Sequence, residues 1–267
     1  MKYKVIALDL DGTLTNHQKE VTPRTLRTLL QCIAEGVIVV LASGRPTFGM
    51  EPVADCLKLD KLGGYLLSYN GAKIVDWKTR HELYAKYLPD GVIPQIYDYA
   101  QAHGYALLGY DGNVIVTEKP DDEYVLEEAR INKMKIRGVK YLPDCLEANP
   151  VKLLLTGDPE KMKLAEVELA EQLSGRMDVF RSAPFFVELV PKGIDKALSL
   201  QRLLAHLQLT PSDIIAFGDG YNDLTMLRMA GMGVAMGNAV PEVRAEADYI
   251  TLSNEEDGIA EALTALM

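Results

Sequence analysis

Polar residues that could do chemistry stand where the apolar runs of this sequence stop. Asp9 and Asp11 close the run 5–8, Ser43 closes 37–42, Asn70 follows 65–68, and Asp219 and Asp223 follow 214–217. Brought within ~4 Å, two carboxylates repel by about 4 kcal/mol at an effective dielectric near 20. Such a group needs a proton or a cation among its members. The four histidines, at 17, 81, 103 and 206, are scattered and form no metal-ligand spacing. An aspartate-rich set without histidine or cysteine suits a hard, oxygen-ligated ion, and Mg²⁺ is the expected cofactor. Beside that ion Asp9 stays ionised and can attack phosphorus, giving an aspartyl-phosphate. Asp11 can protonate the leaving alcohol and then deprotonate the hydrolytic water. A hydroxyl such as Ser43 and an ammonium such as Lys196 would complete a cradle for phosphoryl oxygens. Taken singly, Asp-Gly is an ordinary turn and a lone lysine an ordinary surface residue. Their joint occurrence in order, each after an apolar run, is what implies phosphoryl chemistry.

The elements that must position these residues are legible as an alternation. The runs 5–8 and 37–42 lack polar residues on both faces and read as buried parallel strands. Between them Thr22-Pro23 opens a helix, Leu26, Leu29, Leu30 and Ile33 recur at helical spacing, and Gly36 ends it. A third strand is expected at 65–68. The pattern returns with a helix over 194–207, a strand at 214–217, a helix over 222–230, and short strands at 233–236 and 249–251. This is an α/β fold: a doubly wound, Rossmann-like core on a parallel sheet. In such sheets ligands lie beyond the carboxyl ends of the strands, where these residues fall.

Between about residues 82 and 185 the character changes. Asp111-Gly112-Asn113 between two apolar runs signals a hairpin. A strand over 151–156, a helix over 159–173 and a second hairpin about Ala183-Pro184 follow. Hairpins mixed with helices predict a smaller α+β module inserted into the core.

The chain has 267 residues and a formal charge of −10, which argues against a general nucleic-acid or anionic-membrane binder. No stretch approaches the ~18 apolar residues of a membrane span. Three well-separated cysteines (Cys32, Cys56, Cys145) read as free thiols of a reducing compartment, so a cytoplasmic location is expected.

These residues resemble the haloacid dehalogenase superfamily, over the whole chain. Asp9-Leu10-Asp11-Gly12-Thr13-Leu14-Thr15 resembles its first motif, with nucleophile and acid/base in place. Leu41-Ala42-Ser43-Gly44-Arg45-Pro46 resembles the second, Pro191-Lys192-Gly193-Ile194-Asp195-Lys196 the third, and Gly218-Asp219-Gly220-Tyr221-Asn222-Asp223 the fourth. The resemblance implies a metal set of Asp9, Asp11, Asp219 and Asp223, with Asp223 acting through waters or lysine. It implies Lys196 as the third-motif lysine, with Lys192 as the alternative. Gly44, Arg45, Asn70 and Asn222 are the expected substrate-binding residues. The insert is similar to the α/β cap of the Cof-like subfamily, class IIB, with the core at 1–82 and 186–267 and the cap at 83–185. The implied activity is hydrolysis of small phosphorylated metabolites, sugar phosphates foremost, by a monomer or weak homodimer. Phosphomannomutase-like transfer and a non-catalytic sugar-phosphate sensor are the alternatives.

Overall fold

A computed structural model describes residues 2–146 and 150–267. The strands in chain order begin with β1 (Val5–Leu8), β2 (Ile38–Ala42), β3 (Tyr65–Ser68), β4 (Lys73–Asp76) and β5 (Glu82–Ala85). Then come β6 (Ala106–Asp111), β7 (Val114–Thr117), β8 (Lys135–Gly138), β9 (Leu153–Thr156), β10 (Met177–Ala183) and β11 (Phe186–Pro191). The last three are β12 (Ile214–Gly218), β13 (Met232–Ala235) and β14 (Tyr249–Ile250).

One sheet has the order β14-β13-β12-β1-β2-β3-β4-β5. It is parallel from β14 to β3, and the turn into β4 makes β3–β4 antiparallel. β1 lies between β2 and β12, with Val5 opposite both Ile38 and Ile214. All four residues of β1 are buried because both its faces are covered. Ile6 and Leu8 face a core completed by Leu29 and Cys32 of the helix Pro23–Ala34 and by Ile259 and Leu263 of the helix Gly258–Leu266. Val5 and Ala7 face the other way, toward Leu200 and Leu203 of the helix Lys196–Leu207 and Met226 and Leu227 of the helix Leu224–Met229. Strand order reverses at β1, and that switch point leaves an opening beyond its carboxyl end.

The second sheet has the order β10-β11-β9-β6-β7-β8. Its pairs are antiparallel except β7–β8, which the helix Glu123–Asn132 connects in parallel. Leu107, Leu153, Leu155, Val187 and Leu189 on one face pack with Ile96 and Tyr99 of the helix Val92–His103 and Met162 and Leu169 of the helix Pro159–Gln172. The chain thus divides into one unit of residues 1–84 and 195–267 and a second of residues 85–194. The boundary expected between 185 and 186 is corrected by nine residues. β11, apolar but for Glu188, pairs with β9 and β10 and so belongs to the second unit. Among the described residues no helix is long and apolar enough to cross a membrane.

Candidate active site

The site is built at the carboxyl ends of β1, β2, β3 and β12. Asp9 follows Leu8 directly, and its N–H donates to Phe217 O at 3.1 Å, so the end of β12 sets its backbone. Gly12 turns the chain back at φ +83°; a Cβ there would come within 2.3 Å of Asp219 Oδ2. The loop after β1 therefore closes onto the loop after β12 only with glycine at this position. Thr13 Oγ1 donates to Asp219 Oδ1 at 2.6 Å, and Asn238 Nδ2 donates to Gly12 O at 2.7 Å.

Lys196 opens the helix Lys196–Leu207, whose N-cap Asp195 accepts from the N–H of Leu198. Its side chain is 1% exposed, and Nζ donates to Asp9 Oδ1 and to Asp223 Oδ1, both at 2.6 Å. The other Asp223 oxygen accepts from the N–H groups of Asp219 and Gly220, each at 3.0 Å. Asp223 is thereby a brace for the loop that presents Asp219. Lys192 is exposed and its carbonyl accepts from Lys86 Nζ, so of the two candidate lysines it is Lys196 that meets Asp9.

Carboxylate oxygens of Asp9, Asp219 and Asp223 lie within 4.8 Å of one another. One buried ammonium faces three acids. Burial, with repulsion from Asp223 and Asp219, holds the Asp9 carboxyl well above the usual range although Lys196 opposes it. Burial likewise pushes Asp219 up to about 6, Thr13 opposing and Asp223 adding to the rise. Lys196 runs the other way: burial would lower it, but Asp223 and Asp9 outweigh that and hold the ammonium charged. The donors are all oxygen and short of positive charge, so they fit a divalent hard cation.

Asp11 departs from expectation. Its carboxylate is not part of that group. Arg45 Nε donates to Oδ2 at 2.7 Å, Arg45 Nη2 to Oδ1 at 2.5 Å, and Lys19 Nζ to Oδ1 at 2.5 Å. Two cations draw the side chain away from the three clustered acids. Burial acts to raise its pKa, but Arg45 and Lys19 together hold it below the usual carboxylate range. Arg45, expected on substrate, is committed to Asp11 and to Gly49 O, the latter at 3.0 Å.

Ser43 is buried after β2, and its Oγ accepts the N–H of Arg45 at 3.2 Å. Its carbonyl accepts the N–H of Asn70 at 2.8 Å, while Arg45 O accepts from Tyr69 at 3.0 Å. Tyr69, Asn70 and Gly71 take φ of +53°, +56° and +94°, three left-handed residues in succession. Gly44 lies against the Asn70 amide, at 3.2 Å from an added Cβ. Asn222 Nδ2 donates to Asn70 Oδ1 at 3.1 Å, so two expected substrate-binding residues pair with each other here. Sequence reasoning missed Lys19, the Thr13–Asp219 bond and Asn238. The last had a weaker signal, since Asn238 comes three residues after the apolar strand β13 whereas Asp219 follows β12 directly.

The haloacid dehalogenase-like hydrolase family model matches residues 6–263. The chain is 31% identical to the Bacillus subtilis (strain 168) protein named "Putative phosphatase YxeH", over 99% of this chain and 98% of that one. It is 30% identical to the HMP-PP phosphatase of Serratia proteamaculans (strain 568), over 91% and 86% respectively. A solved haloacid dehalogenase-like hydrolase from Bacteroides thetaiotaomicron superimposes with a TM-score of 0.97 at 49% identity, covering both chains completely. With its four motifs gathered at one sheet edge and the family match spanning nearly all its length, the chain belongs to the haloacid dehalogenase-like hydrolases, in their Cof-like phosphatase branch.

Proposed function

We propose that this chain is a Mg²⁺-dependent phosphatase of small phosphate monoesters, sugar phosphates foremost, working through an aspartyl-phosphate at Asp9. The observation that carries this reading is the buried Lys196 ammonium bridging Asp9 and Asp223 beside Asp219. That arrangement leaves three acids with one ammonium among them, and a further cation would supply the charge that keeps Asp9 ionised in a dry site.

An Asp9 oxygen attacks phosphorus and the bond to the leaving oxygen breaks; Asp11, which takes a proton from solvent once Arg45 turns to the phosphoryl group, passes that proton to the leaving oxygen. Water then attacks the phosphoryl group, Asp11 takes its proton, and the bond to Asp9 breaks to release phosphate. Lys196 and the Ser43 hydroxyl donate to phosphoryl oxygens as charge shifts among them. Asp11→Asn is expected to lower kcat on an alkyl phosphate by about 10²–10⁴-fold, the usual span for general acid–base catalysis. Phosphate release under saturating substrate checks it, and near-wild-type turnover would remove Asp11 from its role.

Asp9, Asp219 and Asp223 would hold Mg²⁺, which supplies positive charge against the phosphoryl oxygens. Chelation by EDTA should stop turnover and added Mg²⁺ should restore it; activity that survives exhaustive chelation would contradict the assignment. Asp219 must lose its proton to bind a cation. With that carboxyl raised to about 6, affinity falls as pH drops through that value. Because Asp9 is raised as well and must also lose its proton, the Mg²⁺ concentration for half-maximal activity should be at least about tenfold higher near pH 5 than near pH 7. A titration of rate against Mg²⁺ at the two values measures this.

All the residues assigned to phosphoryl chemistry belong to residues 1–84 and 195–267, so we place selection of the leaving group in the inserted unit, 85–194. The Serratia relative's name makes HMP-PP a second candidate substrate. A phosphate-release screen that includes sugar phosphates, nucleotides, small phospho-acids and HMP-PP decides between them. Conversion of a hexose monophosphate to its isomer without free phosphate would favour a mutase instead.

A further inference from the structure

We propose that Lys19 is a positioning residue for Asp11, holding the acid/base carboxylate in place when Arg45 engages the phosphoryl group. The assignment rests on the phosphatase reading above. Asp11 Oδ1 accepts from both Lys19 Nζ and Arg45 Nη2 at 2.5 Å, while Oδ2 accepts from Arg45 Nε at 2.7 Å. Arg45 therefore supplies two of the three bonds on Asp11. It lies next to Ser43 and Gly44, in the segment that would receive the phosphoryl group. A guanidinium that reaches for a phosphoryl dianion must share its fork, because carboxylate and phosphate compete for the same planar donors. Among the described residues, Lys19 is the other side chain that holds the Asp11 carboxylate, and it does not depend on the phosphoryl group.

The backbone supports a placed side chain. Lys19 sits at φ +62°, an uncommon conformation for a residue with a long side chain. A tight loop enforces it: Lys19 N–H donates to Asn16 O at 2.9 Å, Asn16 N–H to Glu20 O at 3.0 Å, and Glu20 N–H to Asn16 Oδ1 at 3.0 Å. The loop is tied down at two further points. His17 N–H donates to Glu255 Oε1 at 2.7 Å, and Asn254 Nδ2 donates to Thr15 O at 2.9 Å. The Lys19–Asp11 pair itself is partly exposed, at 43% and 37% of its side chains. Exposed pairs of this kind contribute little to folding, so stability does not account for a strained, multiply anchored loop that ends on the acid/base residue.

A positioning role makes an expectation that a structural role does not. An ester with a weakly basic leaving group needs little proton donation, whereas an alkyl phosphate needs a well-placed acid. Lys19→Met, Lys19→Arg and Asp11→Asn are to be assayed with p-nitrophenyl phosphate and with an alkyl phosphate, at one pH and saturating Mg²⁺. Lys19→Met should lose about tenfold in kcat on the alkyl phosphate and less than about twofold on the nitrophenyl ester, with KM little changed on both. Lys19→Arg should recover most of the loss, and Asp11→Asn should show the same pattern more steeply. Equal losses on both esters, no loss on either, or an arginine variant no better than methionine would overturn the assignment. Wild-type protein that releases phosphate from neither ester sinks the phosphatase reading and this assignment with it, whereas an active Asp9→Asn removes the nucleophile assignment alone.

Discussion

Asp9→Asn is expected to lower phosphate release by at least about 10⁴-fold, in the range seen when a nucleophile is removed from a working site. The amide is close to isosteric with the carboxylate, so the contacts around it change little in shape. It cannot attack phosphorus, and no acyl-phosphate can form on it. The same substitution removes one of three acids that crowd within 4.8 Å. In the absence of a divalent cation, at a pH above the raised Asp9 value of about 8, the variant should therefore melt no lower than wild type, because roughly 3–4 kcal/mol of repulsion per close acid pair at a dielectric near 20 is relieved while one bond to Lys196 weakens. Loss of turnover with retained melting temperature separates chemistry from folding. A beryllofluoride adduct, which mimics the phosphorylated aspartate, should form on wild type and not on Asp9→Asn. An adduct on a different residue would move the nucleophile there.

Lys196→Met should have the second-largest effect, and on stability as well as turnover. Lys196 is almost fully buried and donates to Asp9 and Asp223. Methionine fills much of its volume but leaves those acids without their ammonium. Breaking a buried ion pair by removing one partner costs about 3–5 kcal/mol, since the remaining charge stays desolvated. Urea unfolding of the variant without added metal should show a loss of that size. Mg²⁺ should restore part of it by mass action on the folded state. A loss below about 1 kcal/mol would mean that the acids are protonated or solvated and that the lysine is not their counter-charge.

Much of this site is legible from residue order because strands buried on both faces announce their own ends. Asp9, Ser43, Asn70 and Asp219 are found by asking where apolar runs stop, and parallel pairing brings those stops together. What the pattern leaves open is which way a side chain turns. The family resemblance implies Asp11 in the metal set, but Arg45, 34 residues on, takes its carboxylate. Lys19 belongs to a loop with no periodicity, so nothing local marks it. Lys192 and Lys196 are close in sequence, and only the start of the helix at Lys196 separates their surroundings. The boundary of the insert is misread at β11 for a related reason. All six residues of that strand are buried, as in a core strand, although the hairpin about Ala183-Pro184 already ties it to β10. The helix Val92–His103 carries Pro94 in its first turn, and the helix Glu123–Asn132 is rich in charge, so neither stands out as an apolar stripe.

The place of β1 between β2 and β12 has a consequence for the order in which the molecule comes into being. β2 emerges from the ribosome soon after β1, but Ile214, the partner of Val5, is made more than two hundred residues later. Until then one edge of β1 has no strand beside it, with its backbone groups open to other chains. The strands β6 to β11 are contiguous in the sequence and can pair among themselves during that interval. A growing chain thus carries Asp9 for most of its synthesis without Lys196 or Asp219. The group around Asp9 is assembled only in the last fifth of translation, when β12 slots in and closes the loop after β1 against Asp219.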